Sequence, residues 1–253
     1  MSGNGRTIAI IPARFGSQRL PGKPLLDICG KPMIRHVVER TRQAKLVDEV
    51  VVATDDTRVL DAVHAFGGRA VMTPPELPSG SDRIAFVARS MPEADRIVNV
   101  QGDEPLIVPD MIDEAIAPLV ADATIVAGTV VRRIESPEEL LSPSVVKAVL
   151  DREGYCLYFS RSTIPCVRDL PVAEWLGLGV HYKHIGLYVF SREFLVRYTE
   201  LPATKLESLE KLEQLRILEA GYRIKAVVTT HNSVSVDTAE DLDRVRILMR
   251  GNS

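Results

Sequence analysis

Four apolar runs rich in β-branched residues, at 7–12, 49–54, 96–100 and 124–131, recur through the first half of this chain, and segments of helical periodicity separate them. Between 33 and 44 the apolar Ile34, Val37 and Val38 fall on one helical face. Helical patterns follow at 57–66, 81–90 and 109–120, and Gly67-Gly68 marks a stop before a short strand at 70–72. Strands apolar along their whole length are buried on both faces. Their alternation with helices specifies a mostly parallel sheet covered on both sides.

Beyond about residue 133 the rhythm changes. The runs 145–150 and 156–160, joined through Asp151-Arg152-Glu153-Gly154, predict a hairpin. Residues 165–182 carry Pro165, Pro171 and the sole tryptophan, Trp175, and read as an insertion or contact arm. A strand at 184–190 comes next, then a helix at 206–220 with Leu206, Leu209, Leu212 and Leu215 along its apolar side. A strand at 223–229 and a helix at 239–249 close the chain. No repeat, low-complexity tract or linker divides the 253 residues, so one α/β domain over 1–253 is expected, with a smaller β-rich insertion at about 133–190.

Charge and cysteine usage exclude several classes. With 31 basic against 34 acidic residues the net charge is −3, which gives no general attraction for nucleic acid or an acidic membrane. No apolar run approaches the roughly 18–20 residues of a membrane helix, and the opening segment lacks the pattern of a secretory signal. Cys29, Cys156 and Cys166 form no CxxC pair, and the histidines form no HExxH, so zinc is not expected and reduced cytoplasmic thiols are.

The loops that follow strands carry the chemistry, because open parallel sheets bind ligands beyond the carboxyl ends of their strands. The first reads Pro12-Ala13-Arg14-Phe15-Gly16-Ser17-Gln18-Arg19-Leu20-Pro21-Gly22-Lys23-Pro24. Its three cations supply charge and donors, and its two glycines let backbone N–H groups approach, which suits a phosphate cradle, the alternative being a solvated basic loop. It is neither GxGxxG nor a P-loop, since Pro24 stands where the magnesium-binding Ser or Thr belongs. After 96–100 comes Gln101-Gly102-Asp103-Glu104-Pro105, whose Asp103 either reaches a divalent cation on a nucleotide or caps the next helix. Val236-Asp237-Thr238 poses the same alternative, with Asp237 capping the final helix or serving the same metal. Together with the cationic loop, the two aspartates suit magnesium–triphosphate chemistry.

The strings IIPARFGSQRLPGKPL, VVATDD, NVQGDEP, YFSRSTIP, KHIGLYVF, LEKLEQLR and VDTAEDLDRVR run in order from about residue 7 to 250 and resemble the 3-deoxy-manno-octulosonate cytidylyltransferase family. The resemblance implies a Rossmann-like nucleotide-diphospho-sugar transferase fold. It also implies an enzyme of lipopolysaccharide biosynthesis that joins CTP and 3-deoxy-manno-octulosonate (Kdo) into CMP-Kdo and releases pyrophosphate. Arg14, Arg19 and Lys23 would then bind the triphosphate, with Arg14 and Lys23 stabilising charge as pyrophosphate leaves. Residues 78–83 are similar to the cytosine-recognition segment, which implies roles for Ser79, Gly80 and Arg83, with Ser81 also read as a helix N-cap. Gln101 would lie near the sugar, and Asp103 and Asp237 would hold magnesium. Arg161 would meet the Kdo carboxylate, His184 and Tyr188 would face the sugar pocket, and Glu213 and Gln214 would accept from sugar hydroxyls. Glu207, on the same helix, reads equally as a solvated charge. Family members are similar to one another in pairing through the inserted arm, which implies a homodimer.

Three departures from the family pattern lie near the acceptor side or an interface. Lys205 replaces a common Pro, Asn232-Ser233-Val234-Ser235 lacks the usual glycines, and Cys166 replaces a frequent Trp. They leave open whether the acceptor is Kdo or an amino-substituted Kdo. Rival readings are a CMP-sialate-type or sugar-1-phosphate nucleotidyltransferase and a silent nucleotide-binding subunit. Arg161, His184 and the Glu213-Gln214 pair suit a keto-acid sugar, and a silent subunit would be expected to lose Asp103, Asp237 or Lys23, all of which are present.

Overall fold

The computed structural model describes residues 5–16 and 20–251. The chain forms β1 (Thr7–Ala13), the short pair β2 (Asp27–Ile28) and β3 (Lys31–Pro32), α1 (Met33–Thr41), β4 (Glu49–Thr54), α2 (Thr57–Ala65), β5 (Arg69–Met72), α3 (Gly80–Arg89), β6 (Arg96–Asn99) and α4 (Pro109–Ala121). It continues through β7 (Ala127–Arg133), α5 (Pro137–Leu141), β8 (Lys147–Leu150), β9 (Cys156–Ser160), β10 (Tyr182–Ser191), α6 (Arg192–Tyr198), α7 (Lys205–Glu210), α8 (Leu215–Glu219), β11 (Lys225–Thr229) and α9 (Ala239–Gly251). No helix among the described residues is long and apolar enough to cross a membrane.

The main sheet has the order β11-β7-β10-β6-β1-β4-β5. β1 pairs in parallel with β4 and β6, as do β4 with β5 and β7 with β11, whereas β10 runs antiparallel to both β6 and β7. The apolar runs of the sequence are therefore a mostly parallel sheet with one reversed strand. Along β1, Ile8 and Ile10 pack toward Ile84 and Ala88 of α3, while Ala9 and Ile11 pack toward α1 and α4 on the other face. All four are fully buried, so each isoleucine contributes roughly 1.5–3 kcal/mol by leaving water. From β1 the chain fills one side with β4 and β5, then returns to place β6 on the other. That reversal opens a cleft above the carboxyl ends of β1 and β6.

The expected hairpin is β8–β9, paired antiparallel, and β8 also pairs with the first residues of β10. Around it, Ile134, Leu140 and Trp175 form a small separate core, and Trp175 stacks on His181 with ring centroids 5.6 Å apart. The insertion ends at Tyr182 rather than near 190, because β10 itself runs through the main sheet between β7 and β6. Its register against β7 shifts between Ile185 and Tyr188, where three steps on β10 match one on β7. The two additional residues, Gly186 and Leu187, preserve the alternation of faces, so His184, Gly186, Tyr188 and Phe190 all line one cavity.

The helix expected over 206–220 is instead two short helices, α7 and α8, separated at Lys211, which adopts a left-handed conformation (φ 55°). The leucine spacing contains the reason. A strict period of three drifts about 60° per step around a helix of 3.6 residues per turn, so Leu206 and Leu215 would face opposite sides of one continuous helix. The break brings Leu212 and Leu215 into the core and leaves Leu209 70% exposed. Glu207 is not a solvated charge: it is buried, paired with Arg216, and completes a capping box with Thr204. Leu212→Ala should therefore lower unfolding stability by about 2–5 kcal/mol. Leu209→Ala should stay within about 0.5 kcal/mol of wild type in the same denaturant titration.

Candidate active site

Two joined cavities open at the cleft. The first, about 370 Å³, is walled by Arg14, Lys23 and Pro24 of the loop after β1, by Ser79 and Gly80 at the start of α3, and by Gln101 to Asp103 after β6. The second, about 500 Å³, shares Gly80, Gln101 and Asp103 with it and adds Arg161, His184, Tyr188, Glu213, Gln214 and Asp237. All the expected site residues except Arg19 and Arg83 thus line one cavity or the other. Arg19 lies outside the described residues.

Arg83 lines neither. Its guanidinium is fully buried beneath α3, donates to Thr73 and pairs with Asp55 at 3.0 Å. It fastens the start of α3 to the ends of β4 and β5, and a group sealed this way presents nothing to a base. Ser79, not Ser81, caps α3, its hydroxyl accepting from the Asp82 N–H at 3.2 Å. Ser81 instead donates to Glu213 at 2.8 Å, bridging 132 residues of sequence and linking the α3 start to the second cavity.

At the boundary between the cavities, Lys23 Nζ donates to Asp103 at 2.6 Å and to Asp237 at 3.1 Å. The loop bearing Asp103 is drawn tightly onto β1: a Cβ on Gly102 would stand 2.7 Å from the Pro12 carbonyl oxygen, so no larger residue fits without displacing backbone. The Asp103 carbonyl in turn accepts from the Val236 N–H at 2.9 Å, bringing the two aspartates together. Neither aspartate serves as a helix cap. α4 has Val108 at its cap position, and the start of α9 is closed by Thr238 and Asp241, each side chain accepting from the other's N–H.

Two converging carboxylates fit magnesium, which takes few protein ligands and completes its shell with phosphate oxygens and water. The lysine ammonium between them shows that both carboxylates reach a single cation. Among the described residues no group of three or more His, Cys, Asp or Glu is arranged for a metal, which disfavours a cage built from protein alone. Beside Asp103, Glu104 is buried and accepts from Ser233 at 3.0 Å; burial, and then the Asp103 charge, push its carboxyl up to about 7. Sequence reading left Glu104 without a role, although two adjacent acids leaving a buried strand were a visible signal.

The second cavity has an aromatic wall. His184 lies 5.1 Å from the Tyr188 ring, and Tyr188 stacks on Phe190 at 5.7 Å. His184 Nε2 is 3.0 Å from the Thr129 hydroxyl, which also donates to the Leu187 carbonyl at 2.8 Å where the register of β10 shifts. Burial pushes the His184 imidazole down to about 3, so the ring is neutral at ordinary pH. Opposite stand Arg161, whose Nε donates to the Glu210 carbonyl at 2.8 Å, and the Glu213-Gln214 pair, with Gln214 buried. Lys211 also lines this cavity and was missed, because a non-glycine residue in a left-handed turn has no sequence signature.

Comparison with known proteins agrees with this geometry. The cytidylyltransferase family profile matches residues 8–224. The 3-deoxy-manno-octulosonate cytidylyltransferase of Geobacter metallireducens is 56% identical over 246 residues, covering 94% of this chain and 95% of its own. The protein of the same name from Syntrophus aciditrophicus is 48% identical over 252 residues, covering 98% and 99%. A solved structure of CMP:2-keto-3-deoxy-manno-octonic acid synthetase complexed with CTP superposes with a TM-score of 0.92 at 43% identity, over 98% of this chain and 100% of that one. The 4-diphosphocytidyl-2C-methyl-D-erythritol synthase of Anaerococcus prevotii, at a TM-score of 0.65 and 13% identity, shares the fold alone. A cleft at the switch point of the sheet, a cationic first loop, paired aspartates and relatives of this similarity lead to one conclusion: the chain belongs to the 3-deoxy-manno-octulosonate cytidylyltransferase family.

Proposed function

We propose that the protein transfers the cytidylyl group of CTP to the anomeric hydroxyl of Kdo, releasing pyrophosphate, with magnesium held by Asp103 and Asp237. The observation that carries this reading is the junction of Lys23, Asp103 and Asp237 between one cavity lined by Arg14 and Lys23 and another lined by Arg161, His184, Glu213 and Gln214, a division that suits a triphosphate on one side and an acidic sugar on the other. In the first, Arg14 and Lys23 neutralise phosphate oxygens while Ser79 and Gly80 border the base. In the second, Arg161 offers the sugar carboxylate a planar donor fork, and Glu213 and Gln214 receive hydroxyls. Neutral His184 has a ring nitrogen able to accept from a sugar hydroxyl. Magnesium, when bound, supplies charge neutralisation and a template for the triphosphate.

The reaction forms a bond from the sugar oxygen to the α-phosphorus as the bond to the leaving pyrophosphate breaks in line. Positioning and charge neutralisation suffice for this, so no protein nucleophile takes part. The exposed apolar side chains of the arm, Leu170, Val172, Leu178 and Val180, support pairing of two copies there. The unpaired cysteines support a reducing compartment such as the cytoplasm.

The deciding assay is magnesium-dependent pyrophosphate release with CTP, UTP, ATP or dTTP, and with Kdo or its amino-substituted analogue as acceptor. Release only when CTP and Kdo are both present is the expected result. Turnover with UTP or ATP in place of CTP would sink the nucleotide half, and turnover only with amino-Kdo would move the acceptor. Asp103→Asn should lower kcat roughly 100- to 1,000-fold while calorimetry still detects CTP.

His184 provides a pH test. A neutral ring stabilises the fold fully above the ordinary imidazole value of 6.5, and that contribution is lost as pH falls from there toward about 3. The His184 ring resonances should therefore not titrate between about pH 5 and 8 in an NMR series.

A further inference from the structure

Arg161 is restrained through its main chain from two directions. On one side lies Lys147 of β8, a fully buried lysine whose ammonium donates to three carbonyls: Ser142 at 2.8 Å, Val145 at 2.7 Å and Arg161 at 2.7 Å. On the other lies Glu210, the last residue of α7. Its carboxylate accepts from the Ser160 hydroxyl at 2.6 Å and from the Arg161 N–H at 2.9 Å, and its carbonyl accepts from Arg161 Nε at 2.8 Å. A fourth contact, Arg161 Nη1 to the Pro143 carbonyl at 3.1 Å, fixes the guanidinium plane.

A guanidinium has five N–H groups, and these contacts use the one on Nε and one on Nη1. The Nη2 amino group has no partner among the described residues, and Arg161 lines the larger cavity. Placing an unpaired lysine ammonium wholly among carbonyls is costly, and here it sits close to a second cation. Burial, and then the Arg161 charge, both lower the proton affinity of Lys147. The three carbonyls are what satisfy the ammonium, so the lysine ties the ends of the β8 and β9 segments to one buried point. Glu210 also immediately precedes the left-handed Lys211, so the same carboxylate fixes where α7 ends and where Glu213 and Gln214 begin.

We propose that Lys147 and Glu210 are positioning residues that clamp the main chain of Arg161 from both sides and hold its Nη2 amino group ready for the carboxylate of the acceptor sugar. The clamp makes two remote parts of the acceptor pocket, the β9 end and the α7–α8 turn, move as one unit. This inference rests on the acceptor reading above.

The test is a double-mutant cycle in the full-length enzyme with separate saturation curves for CTP and Kdo. In Glu210→Gln the amide presents N–H donors where one of two donors must be received, so Arg161 loosens without a large change in volume. Glu210→Gln should lower kcat/KM for Kdo by roughly 10- to 100-fold and leave KM for CTP within about twofold. In an Arg161→Ala background the same change should cost less than about threefold, because the group it positions is gone. Losses that multiply in the double variant, or equal losses for both substrates, would overturn the clamp. Lys147→Met strips three buried carbonyls of their donor and is expected to lower Tm, so the cycle relies on Glu210 alone. Wild-type enzyme that binds CTP but is inert toward Kdo would overturn the acceptor reading and this inference with it. An active wild type with additive variants would overturn only the clamp.

Discussion

The shared ion pairing of Lys23 with Asp103 and Asp237 is the interaction around which the rest of the molecule is arranged. It joins residues 80 and 214 positions apart, from the first strand's loop, the middle of the sheet and the approach to the last helix. Its side chains are 14%, 31% and 41% exposed, so as a partly solvated group it contributes little to global stability, about 0–1 kcal/mol per pair. Much of the surrounding backbone is nevertheless committed to it. Gly102 lies against the Pro12 carbonyl, Val236 donates to the Asp103 carbonyl, and Thr238 with Asp241 closes α9 so that Asp237 is not needed as a cap. So much geometry serving so little stability supports the proposed role of this junction in holding a cation and its phosphates.

The nucleotide side was the more legible half in sequence. Its residues come from loops directly after strands, and each strand is a mostly apolar run that ends at polar residues, so β4 emerges at Glu49–Thr54, between Asp48 and Asp55, as expected. Lys23, Asp103 and Gly80 follow because a parallel sheet puts its loops at one end. Arg83 shows where this logic stops. Lying in the similar segment, it was expected at the base, but side-chain direction on α3 sends it inward, where its two Nη groups reach Thr73 and Asp55. Residue order along a helix does not reveal which face the sheet will claim.

The acceptor side was legible as motifs and not as structure. The leucines spaced by three suggested a helix, and only three-dimensional packing shows that the spacing suits two short helices around a left-handed Lys211. Glu207 and Glu210 look alike in sequence, yet one pairs with Arg216 and the other grips Ser160 and Arg161. Those partners lie in the segment just C-terminal to one acid and in the inserted hairpin for the other, distances that local pattern cannot see. Reversal of β10 also escaped strand-by-strand reading, since alternation of buried residues is the same in either direction.

The two additional residues of β10 carry a rule for how this pocket can change over time. Gly186 and Leu187 are an even insertion, so His184 and Tyr188 stay on the cavity side while Ile185, Leu187 and Val189 stay in the core. Gain or loss of a single residue there would exchange the faces on one side of the lesion, driving an imidazole into hydrocarbon and an isoleucine into the pocket. Length variation in this strand is tolerable only in steps of two. Descendants of such a chain can therefore retune the acceptor wall by substitution far more readily than by insertion or deletion.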